Sequence, residues 1–399
     1  MIRRAVLLAS LFLQACGGGN SARSGSDRAV AFQADAAHSG VSTVVAPVFP
    51  PAAAWSRAYA GFLSYPLIAD RRVFIMEAPA LGNGFVSRLH ALDLASGAVA
   101  WGPTDLPSQR FGGGLAFDDG HVFVTTVDGE VMSFDAATGS LSWRITLPDS
   151  SLNVNAPTAS DGLLYVVEGG VSRVFAIDGA RGAIVWTKDV EGLFLATPSV
   201  TLNGVYVSSD CQYYRLAART GAEEWRQDGN GCMGPLGSIV PVANGRAFFR
   251  DFMISAPYNA YIDVLDASTG ARLKRYTPPI LGGQEPIAAV TATGAYLLDR
   301  GAMRRFDSSL STLQWTFAGD GALATPPLVI GGAVVVGSSS GMLYAVDGET
   351  GASIWSALLP VAFGELNDFG SGAPSGFAAA EGHLVVPAGN TLTAFRLSP

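Results

Sequence analysis

The chain has 399 residues, of which 49% are apolar and 15% are charged, and its formal net charge is −8. This composition excludes an intrinsically disordered protein, which needs low hydrophobicity together with high net charge. The acidic balance also argues against a nucleic-acid-binding protein, because such proteins need a basic surface to displace counterions from phosphates. Four scattered histidines and three cysteines leave little material for a zinc site.

The first predicted element is a targeting segment at residues 1–15. Two arginines precede an apolar run at residues 5–13, which is too short to span a bilayer as a permanent helix of about 20 residues. Ala15 and then Cys16 follow this run, so the segment resembles a bacterial lipoprotein signal, in which the cysteine is acylated. An ordinary secretion signal with an incidental cysteine is the alternative.

Residues 16–49 are predicted to form a lipidated flexible tether and a lead-in. The stretch at residues 17–27 is rich in glycine and serine, as flexible linkers are. Glycine rather than aspartate at position 17 favours, by analogy with Gram-negative lipoproteins, delivery to the outer membrane. The folded body is therefore expected in the cell envelope, facing the periplasm and touching the membrane only through its lipid anchor.

A repeat of about 40 residues follows, with the pattern small-x-Asp-x-x-x-Gly-x-x-x-Trp. The matching residues are Asp93, Gly97 and Trp101; Asp135, Gly139 and Trp143; Asp178, Gly182 and Trp186; Gly221 and Trp225; Asp266 and Gly270; Asp307 and Trp315; and Asp347, Gly351 and Trp355. Ala217, Lys274 and Ser311 replace the expected Asp, Trp and Gly in the fourth, fifth and sixth copies. Successive glycine positions lie 42, 43, 39, 49, 41 and 40 residues apart, which indicates a repeat architecture.

Each repeat divides into four predicted strands. Short apolar runs bounded by glycine, such as residues 163–167 and 333–336, predict buried strands. An alternating strand, the Asp-x-x-x-Gly turn and a tryptophan-bearing strand follow. In the turn the carboxylate can accept backbone N–H bonds, and glycine tolerates a positive φ. Four strands per repeat predict an all-β propeller of antiparallel blades, with the tryptophans filling the wedges between blades.

The two ends of the chain set the predicted number of blades. The last repeat stops after residues 391–397 without a tryptophan strand, and such a strand is available near the start, around Trp55. Pairing these segments would complete the last blade and remove its open edge. We therefore expect an eight-bladed propeller over residues 50–399, in a monomeric ring.

The repeat resembles the pyrroloquinoline-quinone-like (PQQ-like) repeat, and eight such blades behind a lipoprotein signal resemble the BamB family. This resemblance implies a scaffold of the outer-membrane β-barrel assembly machine that binds envelope proteins through its blade-connecting loops. BamB proteins typically carry a Leu-x-Leu-Arg-Gly loop, and the nearest match, Leu193 to Thr197, keeps Leu193 and Leu195 but lacks the Arg-Gly pair. Residues 32–40 are similar to a lead-in of other secreted PQQ-like proteins.

The name of the repeat raises the possibility of a quinoprotein oxidoreductase. Such enzymes hold calcium with Glu, Asn and Asp ligands and carry an adjacent Cys-Cys pair, whereas Cys211 and Cys232 are 21 positions apart. No calcium-loop spacing and no G-x-S-x-G elbow is present. The sequence therefore predicts no enzyme activity, no cofactor and no metal. A receptor for glycans or small ligands, in the central channel or on a face, is a further alternative.

Two further features concern the loops. Cys211 and Cys232 follow strands that run the same way, so we predict a disulfide between them, with two free thiols as the alternative. Thiol counting on unreduced protein distinguishes the two. The 49-residue spacing predicts the largest insertion near residues 250–261, and a second variable segment spans residues 363–369. Candidate partner-binding residues in the loops are Leu193, Leu195, Arg250, Phe252, Met253, Tyr258, Asn367 and Phe369.

Overall fold

The structure is a computed structural model that describes most of the chain. The described residues are 27–78, 86–108, 112–148, 154–168, 170, 172–192, 195–209, 212–228, 237–252, 260–277, 288–363 and 376–398. Their regular elements are all strands, which form eight sheets, each with an antiparallel four-stranded core. The predicted all-β, eight-bladed propeller is confirmed. Within the described ranges no helix is present that could cross a membrane.

The strands follow the repeat closely. The N-terminal strands are β1 (Val41–Ser42) and β2 (Ala52–Ala58). Blades 1 to 4 contain β3 (Phe62–Leu63), β4 (Leu67–Ala69), β5 (Arg72–Ala78), β6 (Arg88–Asp93) and β7 (Val99–Asp105); β8 (Gly114–Asp118), β9 (His121–Thr125), β10 (Glu130–Asp135) and β11 (Leu141–Thr146); β12 (Thr158–Ser160), β13 (Leu163–Glu168), β14 (Arg173–Asp178) and β15 (Ile184–Asp189); and β16 (Ser199–Val200), β17 (Gly204–Ser209), β18 (Gln212–Ala217) and β19 (Glu223–Asp228).

Blades 5 to 8 repeat this order. They contain β20 (Val242–Ala243), β21 (Arg246–Phe252), β22 (Ala260–Asp266) and β23 (Arg272–Tyr276); β24 (Ala289–Val290), β25 (Gly294–Asp299), β26 (Ala302–Asp307) and β27 (Leu313–Phe317); β28 (Leu328–Ile330), β29 (Ala333–Gly337), β30 (Met342–Asp347) and β31 (Ser353–Leu358); and β32 (Ala378–Ala380), β33 (His383–Ala388) and β34 (Thr391–Arg396).

Burial explains the two hydrophobic patterns of the repeat. The second strand of a blade is covered on both faces, so β13 is buried from end to end and its sequence is continuously apolar. The fourth strand is the outer edge, and β11 has no fully buried residue and alternates in exposure. The predicted closure is also confirmed, because β2 pairs antiparallel with β34 and aligns Trp55 with Ala394.

Each tryptophan joins its own blade to the next one. A Cβ built on Gly139 would lie only 2.6 Å from two ring carbons of Trp101. The Trp101 Nε1 also donates a hydrogen bond to the Ala136 carbonyl at 3.0 Å. The same hydrogen bond runs from Trp55 to Leu94, Trp143 to Gly179, Trp186 to Ala218, Trp225 to Ala267 and Trp315 to Gly348. The tryptophan and glycine positions therefore act as a pair across six of the seams between neighbouring blades.

This pairing gives a single explanation for two departures from the repeat, at Lys274 and Ser311. In the alignment of the repeats, Lys274 of blade 5 occupies the tryptophan position. Ser311 of blade 6 occupies the position of the glycine that would pair with that tryptophan. The tryptophan and its glycine are thus replaced on the same seam. Leu310 is 2% exposed and packs in the apolar cluster of this seam, and Tyr276 meets Phe306 edge-on at 4.9 Å.

The repeat aspartates hold the turns between the third and fourth strands. Asp266 Oδ1 accepts the backbone N–H groups of Ser268 and Thr269 at 3.0 and 2.8 Å, and both of their hydroxyl groups. Corresponding bonds form at Asp93, Asp135, Asp178, Asp307 and Asp347. These hydrogen bonds stabilise six short chain reversals from within each turn.

Asp266→Asn is expected to destabilise the protein at pH 7 and to have little effect near pH 2. Hydrogen bonds, first from the Ser268 hydroxyl, lower the pKa of Asp266 to about 2. Because the unfolded group titrates near pH 4, its stabilising contribution is present above about pH 4 and is lost as the pH falls towards 2. Urea unfolding across this range measures the difference. Asp105→Asn, which removes an exposed ion pair with Arg88, is the control; an equal pH profile would contradict the assignment.

The two faces of the ring differ in their connections. First and second strands are joined by two or three residues, and third and fourth strands by five. These turns form what we call the short-turn face. Connections from second to third strands, and from each fourth strand to the next blade, lie on the opposite face. They range from two residues to the 19 between β31 and β32, and we call this side the variable face.

The centre of the ring is filled by the chain itself. Residues 29–44, which we call the axial segment, contact the innermost strand of every blade. Its backbone bonds to Ile68, Phe117, Val200, Val242, Val290 and Val329, its His38 side chain lies 3.2 Å from the Thr158 hydroxyl, and its Ser42 hydroxyl donates to Ala379. The sequence placed this segment outside the propeller, ahead of residue 50. The structure corrects this boundary.

Candidate functional site

The variable face carries the segments that were singled out as partner-binding candidates. β21 ends at Phe252, blade 5 contributes Arg250 next to it, and Leu195 lies between β15 and β16. Leu193, Met253, Tyr258, Asn367 and Phe369, together with Cys16, Cys211 and Cys232, lie outside the described residues. In sequence, Leu193, Met253, Tyr258, Asn367 and Phe369 fall between strands whose described ends lie on this face.

The described candidates differ in what they offer to a partner. Leu195 is 2% exposed and packs with Val200 and Val207 inside blades 3 and 4, so its side chain is not presented to a partner. The Arg250 side chain is half-buried, and its carbonyl accepts a hydrogen bond from Ser238 Oγ at 2.7 Å. Phe252 ends its strand in register with Ala260.

The position of the longest connection corrects the sequence prediction. The 49-residue spacing located the largest insertion near residues 250–261, but only seven residues join β21 to β22 there. These two strands are seven residues long themselves and take up part of the extra length. The 19 residues between β31 and β32 follow the last repeat glycine, so the spacing of glycines does not measure them.

A buried ion pair that the sequence did not reveal lies in blade 5. Asp263 is fully buried, and Arg275 donates to both of its carboxylate oxygens, at 2.7 and 2.6 Å. Arg272 approaches the same carboxylate at 3.2 Å, and the Arg275 guanidinium lies 3.8 Å from the Tyr261 ring centroid. The hydrogen bonds to Asp263 raise the pKa of Arg275. This cluster fixes the outer strand of blade 5, and the repeat pattern marks none of its three charged residues.

Ion pairs also tie together strand ends on the variable face. Arg88 pairs with Asp105 at 3.0 Å in blade 1, and Arg304 pairs with Asp299 at 3.0 Å in blade 6. Between blades 3 and 4, Arg226 reaches Glu191 at 2.9 Å. The described strand ends at these three places on the variable face therefore carry paired charges of both signs.

A close histidine–carboxylate pair in blade 1 has a structural explanation. His90 Nε2 lies 2.9 Å from Glu77 Oε2, and Glu77 Oε1 accepts the N–H groups of Ala60 and Gly61 at 2.9 and 3.0 Å. Burial lowers the pKa of His90, against the effect of Glu77. The pair therefore holds the segment after β2 against blade 1.

A bound quinone and its metal do not fit the ring axis of this chain. Phe32 lies there among Tyr65, Ala156 and Ile239, side chains from the inner walls of three blades. In the parts of the chain that the structure describes, no group of three or more His, Cys, Asp or Glu side chains is arranged to hold a metal ion. The central-channel form of the ligand-receptor hypothesis meets the same obstacle.

Comparison with known proteins now places the chain in a family. The family model described as outer membrane protein assembly factor BamB matches residues 86–172, 161–356 and 258–397, most of the repeat region. The chain belongs to this family. BamB of Bordetella pertussis (strain Tohama I) is 25% identical over 272 residues, which are 65% of this chain and 67% of that protein.

Solved structures show the same fold. BamB from Moraxella catarrhalis gives a TM-score of 0.63 at 17% identity, covering 87% of this chain and 99% of that one. Quinohemoprotein alcohol dehydrogenase from Comamonas testosteroni gives 0.68 at 14% identity, covering 93% and 80%. The chain spans about half the length, or less, of the first curated relatives that it matches. At these identities the shared propeller alone does not distinguish a BamB from a dehydrogenase.

Proposed function

We propose that this BamB-family chain is a non-enzymatic scaffold, anchored by an acylated Cys16, that binds protein partners during outer-membrane protein assembly. The family match across residues 86–397 carries this proposal. The ring supports it, because uniform short turns occupy one face and connections of very different lengths occupy the other. Loops can change on such a scaffold without disturbing the blades.

The filled axis argues for a scaffold over the two ligand-based alternatives. A quinoprotein or a channel receptor needs space for its ligand, either on the ring axis or, failing that, on one face of the ring. Here the axial segment makes hydrogen bonds to the inner strands, and Phe32 is 1% exposed. Added pyrroloquinoline quinone with calcium is therefore expected to change neither the absorbance spectrum nor the melting temperature.

Photocrosslinking in intact cells tests the partner. A crosslinking amino acid at Pro360 or Ser339, both exposed on the variable face, is expected to capture subunits of the β-barrel assembly machine. Leu202, which is 72% exposed on the short-turn face, is the matched control position. Capture from Leu202 alone, or isolation without any assembly subunit, would contradict the proposed role.

Fractionation of the same cells tests the proposed lipid anchor at Cys16. Cys16→Ala is expected to move the protein from the detergent-extracted membrane fraction to the soluble fraction, because a multiply acylated cysteine supplies the membrane affinity. Circular dichroism of the purified variant checks that the propeller is still folded. Retention of the Cys16→Ala variant in the membrane would show that another element holds the protein there.

A further inference from the structure

The axial segment contains a buried polar turn at residues 32–40. The backbone reverses there, and the His38 N–H donates to the Asp35 carbonyl at 3.0 Å. Gln33, Ala34 and His38 have φ values of +52°, +77° and +51°, in the left-handed region that residues other than glycine seldom occupy. Contacts with the surrounding blades must therefore hold this turn in a strained conformation.

The His38 side chain joins this turn to blades 3 and 4. It is fully buried, with 0% exposure. Nδ1 lies 2.7 Å from the Phe32 carbonyl, which can only accept, so Nδ1 carries a proton. Nε2 lies 3.2 Å from the Thr158 hydroxyl in β12 and 3.1 Å from the Pro198 carbonyl just before β16. In a neutral ring Nε2 accepts from the Thr158 hydroxyl, and both ring nitrogens are then hydrogen-bonded.

A second proton on His38 would place a charge in this site. The Thr158 hydroxyl also lies 2.7 Å from the Pro198 carbonyl, to which it can turn once Nε2 is protonated. Nε2–H can then donate to the same two oxygens. The cost of protonation is therefore not a lost hydrogen bond but a full charge in a site closed to water.

The groups around His38 do not offset this cost. Among the described residues, Asp35 is the one titratable group whose charge acts on the ring, and the contacts from blades 3 and 4 are uncharged. The Asp35 carboxylate already accepts the Ser39 N–H at 2.9 Å and the Ser39 hydroxyl, and burial raises its own pKa. Burial lowers the pKa of His38, against the opposing effects of the Phe32 carbonyl, Asp35 and the Pro198 carbonyl. The native turn therefore holds His38 neutral.

We propose that His38 makes the closure of the ring axis sensitive to acid: protonation of its ring opens the turn at residues 32–40 and loosens the axial segment, while the blades stay folded. Opening gives the charged ring access to water and relieves the left-handed conformations of Gln33 and Ala34. The hydrogen bonds that join the blades, from tryptophan Nε1 to a carbonyl, contain no group that titrates in this range. Neither an acylated Cys16 nor a partner is required for the opening.

The sign of the effect follows from the number of protons bound. The pKa of His38 is near 6.5 when the ring is exposed to water and lower in the native turn, so the closed form binds fewer protons between the two values. The closed turn is fully stable above about pH 6.5 and loses stability as the pH falls below it. For one proton, the equilibrium constant for opening should rise about tenfold from pH 7.5 to pH 5.5. Asp35, whose pKa is raised, acts with the opposite sign and is present in every chain compared.

Hydrogen exchange of the full chain, followed by mass spectrometry, tests the proposal. Exchange in residues 29–44 is measured at pH 7.5, 6.5 and 5.5 and divided by the intrinsic rate at each pH, which gives the opening equilibrium. We expect the tenfold rise in this segment and none in β30 of blade 7, which is paired on both sides. An equal rise in both would mean that the whole propeller unfolds, and would overturn the local opening.

Two glutamine variants assign the effect to one side chain. His38→Gln can still donate to the Phe32 carbonyl but does not titrate, so the corrected exchange of residues 29–44 should no longer depend on pH. His90→Gln is the matched control, because burial also lowers the pKa of His90, which lies beside Glu77 in blade 1. This control should keep the tenfold rise. A rise that persists in His38→Gln, or disappears in His90→Gln, contradicts the assignment.

A measurement on the unaltered chain does not depend on whether the variants fold. Nitrogen-15 NMR of the histidine side chains distinguishes a neutral ring, which has one protonated nitrogen, from an imidazolium, which has two. We expect His38 to be neutral at pH 7, with the proton on Nδ1. An imidazolium at pH 7, or an axial segment that becomes better protected as the pH falls, would show that His38 stabilises the closed turn in its charged form and would refute the proposal.

Discussion

Phe32→Ala is expected to lower the free energy of unfolding by about 3–5 kcal/mol, near the upper end for truncation of a buried aromatic side chain. Phe32 is 1% exposed, meets Tyr65 edge-on at 5.4 Å and packs with Ala196 and Ile239. Because the closed ring holds these walls apart, the surroundings cannot collapse into the cavity. Denaturant unfolding followed by tryptophan fluorescence measures the loss.

Phe62→Ala is the matched control for this prediction. Phe62 is 54% exposed in β3, so the same truncation removes little buried surface and is expected to cost less than about 1 kcal/mol. Similar losses for the two variants would mean that the axial segment is not packed in the centre of the ring in solution.

The blades were predictable because most of the same residues recur, at similar spacing, in seven copies of the repeat. A period-two outer strand, a glycine at positive φ and a tryptophan appear at constant spacing, and the structure gives each a constant environment. Gly139 and Gly351, for example, have φ values of +74° and contact the tryptophans of the preceding blades. Even the departures at Lys274 and Ser311 obey the pairing that the repeat implies.

The axial segment was not predictable in this way, because it occurs once and contacts each blade differently. Its bonds join Ala36 to Val200, Ala37 to Val242 and Ser39 to Val290, so no local period marks it. The glycine- and serine-rich stretch before it also favoured a tether over the whole of residues 16–49. A useful signal was the change in composition after residue 27, where small and apolar residues surround Phe32 and His38.

The candidate binding face was only partly predictable from the sequence, unlike the blades and the axial segment. Strand direction alone places the ends of β15, β21 and β31 on one face, so the sequence could locate the surface. It could not determine which side chains are exposed, because connections carry no repeat constraint. Leu195 and Phe363 are apolar loop residues, yet both are buried, at 2% and 4% exposure.

Gly182→Ala is expected to destabilise the ring by about 2–4 kcal/mol, through strain from a positive φ and overlap with an indole. Gly182 has a φ of +71°, and a Cβ there would lie 2.8 Å from two ring carbons of Trp143. Gly162→Ala is the matched control, because its φ is +77° and no atom lies within 4 Å of its Cβ position. That variant should lose only the backbone part, about 1–2 kcal/mol.

A double-mutant cycle then isolates the contact across the seam. Trp143→Ala removes a ring that packs with Phe123 at 6.0 Å and donates to the Gly179 carbonyl at 2.8 Å, so it is itself expected to cost about 3–5 kcal/mol. In that background Gly182→Ala should cost no more than Gly162→Ala, because the indole it would overlap is gone. Additive losses would show that the glycine is required for its backbone alone. The constant tryptophan–glycine spacing would then reflect turn geometry and not docking between blades.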